Sequence, residues 1–310
     1  MSNELAPEGP ELQPDGGGFD EEAGSEDASH LLPPIRELPQ DREYLPAAFY
    51  SIQAANGTPA NPPAQLGALL GQGLFQSLTD VHIFGRNTDA EPWVEVGPMT
   101  PEPVQLMVSQ ELLPATGAAL AEDDLQMFDM VAGRVAKTLK RAKQPPKEDA
   151  AAAAGRSAKL AGMKGSLSEK FGLALSGNFK LADISDCCLC LGMKRSGEGF
   201  AWFGGKTTGD PIFTVTAQGA KMAPGAQGAT KKINFTYSVA GVPQPRKVLE
   251  RMFAASYYFK KRLGGDVQMA DGSAPPDSVA RGEHPKLEAA IKKVEAAGLR
   301  PGHVVTKRLA

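Results

Sequence analysis

Three closely spaced cysteines are the residues of this 310-residue sequence most able to do chemistry. Cys187, Cys188 and Cys190 lie within Ser185–Met193, a mostly apolar run that predicts a strand. A structural zinc site needs four ligands in paired spacing, and adjacent strand residues point to opposite faces. We therefore interpret the three as buried strand cysteines, with a metal or redox site as the less favoured alternative. An odd, clustered set also indicates a reducing compartment rather than a disulfide framework.

The known motifs of catalysis and cofactor binding are missing from the sequence. It contains no GxxxxGK[ST] or GxGxxG loop, no nucleophile elbow and no HExxH. Its four histidines stand in no recognisable catalytic setting, although a pair of carboxylates acting without a histidine stays open. We expect no cofactor, no metal and no enzymatic activity. The alternative is an enzyme of unrecognised type that uses one of the cysteines as its nucleophile.

Charge and hydropathy restrict the classes of partner. The net charge is −3, which predicts no basic surface for nucleic acid. The clusters Lys137–Lys143 and Lys260–Arg262 fall in the last turns of predicted helices, where the helix dipole favours cations. No apolar run reaches ~18 residues, so no membrane span is predicted. The acidic N-terminus, rich in Gly and Pro, does not resemble a signal peptide.

Residues 1–40 are predicted to form a disordered acidic tail. Met1–His30 contains nine acidic residues and no Lys or Arg, and such a composition cannot bury enough apolar surface to offset the entropy of ordering. An apolar island, Leu31–Ile35, interrupts the tail. It is either part of the tail or a docking motif, and a scaffold or assembly protein acting through this tail is a further alternative for the function.

The first half of the chain, residues 45–143, is predicted to be α/β. Alternating apolar residues and turn-forming residues between them predict the strands Ala47–Ala54, Asp80–Phe84, Pro92–Val96 and Val104–Gln110. A helix is expected over Pro63–Leu74, and a stronger one over Asp123–Lys140, where apolar residues recur at helical spacing. An Ala- and Pro-rich linker, residues 144–175, is expected next, because Ala142–Ser166 has little to bury. A short helix is expected at Leu167–Ala174.

The second half, residues 176–310, carries the clearest periodic elements. Besides the cysteine run, strands are predicted at Phe200–Phe203, Ile212–Thr216 and Ile233–Val239, and helices at Gln244–Gly265 and Pro285–Ala297, with loops over Asp266–Gly282. In each half a helix follows a strand, which suggests a weak internal duplication. The expected fold class is therefore α+β: antiparallel sheet with amphipathic helices on one face, as one merged domain or as two similar ones.

The large aromatics allow two interpretations. Trp93, Trp202, Phe200 and Phe203 each lie in a predicted strand. We expect them to form sheet core, while the alternative is that some of them face an exposed apolar groove that takes up a peptide.

Two stretches resemble the C-terminal domain of the ZipA family, especially its extended, diverged proteobacterial form. The first is Ile83–Val96, IFGRNTDAEPWVEV, with the strand and helix that follow it. The second is the strand Ile233–Val239 and the helix Arg246–Leu263 with its Gly264-Gly265 end. Further matches of the closing region are Asp271-Gly272, Gly298, Pro301-Gly302 and Arg308-Leu309. Members of this family normally begin with a membrane anchor, and no such span is predicted from this sequence.

The resemblance implies a cell-division protein that is not an enzyme and that captures the C-terminal peptide of FtsZ on an apolar sheet face. It implies a cytoplasmic location, with partners able to bring the chain to the inner membrane. The residues expected to contact the peptide are Phe213, Val215, Phe235 and Tyr237. On the strand Ile212–Thr216 the outward residues are either Phe213 and Val215 or Ile212 and Thr214, and the sequence does not decide between them.

Overall fold

A computed structural model shows an α+β protein built on two antiparallel sheets, which confirms the predicted fold class. It describes residues 27–35, 43–54, 63–71, 78, 80–97, 102–206, 209–222 and 226–309. The helices within these residues are α1 Pro63–Gly71, α2 Glu122–Thr138, α3 Ala150–Gly162, α4 Lys164–Leu167, α5 Leu181–Cys190, α6 Pro245–Leu263, α7 Pro285–Ala296 and α8 Val304–Lys307. The strands are β1 Phe49–Ala54, β2 Val81–Arg86, β3 Val94–Glu95, β4 Gln105–Glu111, β5 Lys170–Lys180, β6 Lys194–Ser196, β7 Gly199–Trp202, β8 Phe213–Ala217, β9 Ala229–Ser238 and β10 Asp266–Met269.

The first sheet has four strands in the order β1-β4-β2-β3, and all of its neighbours are antiparallel. The predicted strands and helices of this half are confirmed to within a few residues at each end, except that residues 72–74 of the expected first helix lie outside the described residues. Helix α2 covers one face of the sheet, where the rings of Tyr50 and Phe128 meet edge to face at 5.8 Å. This face forms the core of the first half.

Helix α2 forms because its apolar residues recur at helical spacing and its first turn is capped. Leu125, Phe128 and Val135 are fully buried, as an amphipathic helix on a sheet requires. The carboxylate of Asp124 accepts a hydrogen bond of 2.9 Å from the backbone N–H of Ala121. That bond satisfies a group that the helix leaves without an internal partner.

The second sheet has six antiparallel strands in the order β10-β5-β9-β8-β7-β6. Helix α6 follows β9 and buries Leu249, Met252 and Phe259 against the sheet. It ends at Gly264, whose φ of 78° suits glycine. The predicted strand and helix of this unit are confirmed, and the two sheets have separate hydrophobic cores rather than one merged core.

The predicted linker is wrong, because residues 150–162 form the helix α3. Asp149 caps it by accepting a hydrogen bond of 2.7 Å from Ala152, and alanine has the highest helix propensity. Ala153, Ser157 and Leu160 are buried in the first core, and the Ser157 hydroxyl donates to the backbone oxygen of Leu112. This segment is therefore an integral part of the first half.

Three further elements differ from the sequence prediction. The run expected as a short helix, Leu167–Ala174, belongs mostly to β5, whose Phe171, Leu173 and Leu175 alternate into the core. The cysteine run is the helix α5 and not a strand. A short apolar run does not distinguish a buried strand from a buried helix. The loop expected over Asp266–Gly282 begins with the edge strand β10.

The C-terminal elements join the two halves. Leu287 and Ala290 of α7 lie in the second core, whereas Val294 of the same helix and Leu309 lie in the first core. Gly302 brings this segment against the loop that follows β9, since its N–H donates to the oxygen of Ala240 at 2.9 Å. A Cβ there would lie 2.4 Å from the nitrogen of Pro243, so only glycine permits this approach.

The acidic tail prediction is wrong for residues 27–35, while residues 1–26 and 36–40 lie outside the described residues. A 3-10 helix forms at Ser29–Leu31. Ala28, Leu32 and Ile35 are buried in the core of the second sheet. The apolar island is thus docked on the fold.

Candidate functional site

A cleft of about 550 Å³ lies against the face of the second sheet that points away from α6. Its floor includes Thr214 of β8 and Thr236 and Ser238 of β9, and one wall includes Lys307 and Arg308 at the C-terminal helix α8. The cleft is therefore bounded by the second sheet and by the C-terminal segment, whose Val305 and Leu309 pack in the first core. Sites that bind small molecules or peptides are usually concave regions of this size.

Strict alternation along the central strands produces two different faces. In β8, Phe213 and Val215 are buried, whereas Thr214 is half-buried. In β9, Phe235 is buried and Thr236 is half-buried. Because successive strand residues point to opposite faces, the helix-covered face is apolar and the other face carries hydroxyl and amide side chains. We call the second one the open face.

The structure places all four predicted peptide-contacting residues in the core. Phe213, Val215, Phe235 and Tyr237 are each at most 3% exposed. The ring of Phe235 meets that of Phe259 of α6 at 5.2 Å. These side chains hold the helix on the sheet, so the expected apolar contact surface does not form from them.

Of the two alternatives left by the sequence for β8, the structure leaves Ile212 and Thr214 on the cleft side. The ring of Tyr237 is buried, and its hydroxyl still has a hydrogen-bond partner. It donates a hydrogen bond of 3.0 Å to the oxygen of Pro245. Burial raises the pKa of this phenol. It is therefore a neutral hydrogen-bond donor that fixes the start of α6.

The floor of the cleft is level because its side chains are short. The hydroxyls of Thr214 and Thr236 lie 3.1 Å apart across the strands. Next to them, Gly172 has no side chain, and a Cβ there would lie 2.9 Å from the oxygen of Phe235. The threonine hydroxyls of the floor thus offer hydrogen-bonding groups to a ligand.

Besides Arg308, whose guanidinium is engaged in ion pairs, two lysines and one carboxylate set the charge of the cleft. Lys170 of β5 is exposed at one end. Lys307 lies 3.7 Å from the carboxylate of Asp210, which is 74% exposed. A solvated pair of this kind is weak, so a ligand carboxylate can compete with Asp210 for the lysine. The apolar surface of the cleft comes from Ile212 and from Val304, which is 40% exposed.

Behind the cleft, Arg308 is the end of a buried network of charges. Its guanidinium donates to Asp80 at 3.0 Å and forms an ion pair with Glu111, whose side chain is fully buried. The same carboxylate lies 2.6 Å from Nε2 of His82, and Nδ1 of His82 lies 2.6 Å from Glu95. The network locks the C-terminal segment onto the first sheet.

His82 is held in its charged form by this network. Burial by itself would lower its pKa, but the hydrogen bonds to Glu111 and Glu95 outweigh that effect and raise the pKa to about 9. Both ring nitrogens then carry protons at neutral pH, so the ring cannot act as a general base. Sequence reasoning missed this network, and its one signal was the polar end, Ser109–Glu111, of an otherwise apolar strand.

His303, at the start of α8, is neutral instead. Burial lowers its pKa to about 4. One ring nitrogen lies 3.1 Å from the oxygen of Glu43, and the other accepts from the N–H of Val305 at 3.4 Å. It serves as the N-cap of the helix that forms the cleft wall.

The cysteines lie on one helix and do not converge on a reactive site. Cys187 and Cys188 are buried. Burial raises the pKa of Cys187 to about 12 and that of Cys188 well above its ordinary value. Because the thiolate is the nucleophile, neither thiol is activated at neutral pH. Among the described residues, no three His, Cys, Asp or Glu side chains come together as metal ligands.

The large aromatic residues and the basic cluster Lys260–Arg262 have roles in the fold. Phe200 and Trp202 are buried core residues of β7, as the core interpretation predicts. Trp93 is half-buried beneath the guanidinium of Arg86, 4.5 Å from its ring. Lys260–Arg262 form the last turn of α6. The helix-end interpretation of this basic cluster is therefore confirmed.

Comparisons with protein-family models and with curated proteins found no match for this chain. Within the described part of the chain, no helix has the length and apolar character needed to cross a membrane.

Proposed function

We propose that this chain is a non-catalytic binding protein that captures an extended peptide on the open face of the second sheet. The C-terminal tail of FtsZ is the expected partner, on the basis of the resemblance to the ZipA family. The observation that carries the proposal is the cleft between the open face and α8, with Lys170 and Lys307 at its rim. The proposed setting is the cytoplasm, at the inner membrane when a partner recruits the chain.

The chemistry of the cleft determines what kind of peptide suits it. Thr214, Thr236 and Ser238 supply hydroxyls along the floor, which can bond the backbone of an extended chain. The two lysines suit carboxylates, either of acidic side chains or of a chain terminus. Ile212 and Val304 offer room for one apolar side chain. The surface is thus more polar than the apolar groove that the resemblance implies.

A binding role is also favoured by the state of the reactive groups. The thiols of Cys187 and Cys188 are buried and their pKa values are raised, and both nitrogens of His82 are engaged. None of these groups lines the cleft. The polar groups that do line it are hydroxyls, two lysines, Asp210 and Arg308, and we infer that they hold a ligand.

The test is a titration of the full chain with FtsZ and with FtsZ that lacks its C-terminal tail. Binding is measured by light scattering or by surface plasmon resonance. The proposal expects saturable binding that disappears with the tail. A fluorescent tail peptide alone should bind with a similar Kd. Binding that is indifferent to the tail, or no binding at all, would refute the proposed partner.

A further inference from the structure

A groove lies on the helix side of the second sheet, and residues 27–35 of this chain pack in it. The groove is formed by the end of α5, one side of α6 and the turn at Gly204-Gly205, none of which lines the cleft. The occupant is the segment of residues 27–35, which contains the apolar island Leu31–Ile35.

The segment is held by three apolar anchors. Ala28, Leu32 and Ile35 are 6%, 3% and 5% exposed, while Leu31 between them is 36% exposed. The anchors belong to the same hydrophobic cluster as the strands and helices of the second sheet. Apolar anchors spaced i, i+4 and i+7 along a short segment are a recurring form of peptide recognition in a groove.

Polar contacts fix the backbone of the segment at both ends. The N–H of Ala28 donates a hydrogen bond of 2.9 Å to the oxygen of Cys190, at the end of α5. The guanidinium of Arg251, on α6, donates to the oxygen of Pro33 at 3.3 Å. The two bonds set the direction and register of the segment. They thereby place the three anchor side chains against the apolar core of the second sheet.

The turn at Gly204-Gly205 lies directly against Pro34 and Ile35. Gly205 has a φ of 83°, and a Cβ there would lie 2.7 Å from the ring of Pro34. Gly204 has a φ of 67°, and its Cβ would lie 3.5 Å from the oxygen of Ile35. Proline fixes its own φ near −65°, so Pro33-Pro34 loses little entropy on docking, as in other proline-rich ligands.

We propose that this groove is a recognition site for short peptides with the pattern Ala-x-x-x-Leu-Pro-Pro-Ile, and that residues 27–35 occupy it as a tethered ligand. A partner protein that presents the same pattern replaces the tethered copy. A tethered ligand has an effective concentration on the order of millimolar, so it keeps weak competitors out and admits only well-matched partners.

The test uses the full chain and a fluorescent peptide of residues 27–35. The double variant Leu32→Asn/Ile35→Asn undocks the tethered copy, and it should bind the peptide at least ten times more tightly than the wild type does. Peptides carrying the same two changes should not bind. A peptide with Leu31→Asn is the matched control, because the side chain of Leu31 points to solvent, and it should bind like the unchanged peptide.

A change on the groove side gives an independent measurement. In the double variant, Gly205→Ala should weaken peptide binding at least tenfold, because the new Cβ would overlap Pro34. Gly209→Ala is the control: its φ of 118° imposes similar backbone strain, but its Cβ would meet nothing within 4 Å. Equal effects of the two glycine changes would contradict a specific contact with the prolines.

The melting temperatures of the wild type and of the double variant, each measured with and without peptide, report whether the chain folds. The proposal expects a lower Tm for the double variant and its recovery at saturating peptide, since a ligand that binds the native state stabilises it. A double variant that stays unfolded even with peptide would show that the segment is an inseparable part of the core. Either that result or equal peptide affinity of variant and wild type overturns the proposal.

Discussion

Arg308 donates a hydrogen bond of 3.0 Å to Asp80, although the two residues are 228 positions apart in the sequence. The same guanidinium forms an ion pair with Glu111. The C-terminal segment is therefore fastened to the first sheet, and it carries α8 to the open face of the second sheet. The wall of the proposed binding cleft depends on this attachment.

We expect Arg308→Ala to be strongly destabilising. The change would remove one of the two cations that face the fully buried carboxylate of Glu111, the other being His82, and breaking a buried ion pair costs up to about 3–5 kcal/mol of the free energy of unfolding. Chemical denaturation measures this loss of unfolding free energy. The matched control is Arg281→Ala, because that side chain is 67% exposed and lies 3.8 Å from Glu283; it should change stability by about 0.5 kcal/mol at most. Similar small losses for both variants would contradict the buried network.

His82 should make stability fall as the pH rises. Its pKa in the folded protein is about 9, above the value near 6.5 expected in the unfolded chain. A raised pKa gives stability that is fully present below about pH 6.5 and is lost as the pH rises to about 9. The loss is about 3 kcal/mol.

The measurement compares urea unfolding of the wild type and of His82→Gln at pH 6.5 and at pH 9. The variant is expected to lose less stability between the two values, since it has no proton to release. His30→Gln, on the exposed 3-10 helix, is the control and should keep the wild-type difference. An unchanged pH profile in His82→Gln would argue against the carboxylate contacts.

The packing of α3 on the first half gives a third prediction. Leu160 is 3% exposed, so Leu160→Ala should cost about 2–4 kcal/mol through lost burial and a cavity. Lys159→Ala, its exposed neighbour in the same helix, should be nearly neutral. Thermal or urea unfolding distinguishes them, and a neutral Leu160→Ala would mean that this segment is the linker that the sequence analysis expected.

Thiol labelling tests whether α5 keeps its cysteines out of reach. Cys187 and Cys188 are buried with raised pKa values, so both should react with a thiol reagent only after denaturation. Cys190 is partly exposed and should react more quickly in the native protein. Rapid native labelling of Cys187 or Cys188, read by mass spectrometry, would revive the nucleophile hypothesis.

The elements that were correctly predicted are those whose signal is local. The helical spacing of Leu249, Met252 and Phe259 and the strand alternation of Phe235 and Tyr237 are local patterns, and both are confirmed. Even for correctly predicted strands, the alternation defines two faces but does not indicate which of them a helix covers. For that reason the sequence predicts a binding site at apolar residues that form the core in the structure.

The errors come from segments in which the local signal is weak or ambiguous. The alanines around Ala153 suggested a linker because they carry little apolar surface, yet the core of the first half accepts small residues there. The cysteine run is too short to separate helix from strand. The contact of Arg308 with Glu111, and with it the cleft, depends on tertiary structure that no local pattern encodes.

The most direct test of the central claim is the affinity for the FtsZ tail peptide after charge reversal in the cleft. Lys170→Glu/Lys307→Glu should weaken binding roughly tenfold or more, because two rim cations at about 0.2–1 kcal/mol each become repulsive. The control, Lys159→Glu/Lys292→Glu, makes the same change of net charge at exposed sites outside the cleft and should bind like the wild type. Equal Kd values for the two double variants would contradict peptide capture on the open face.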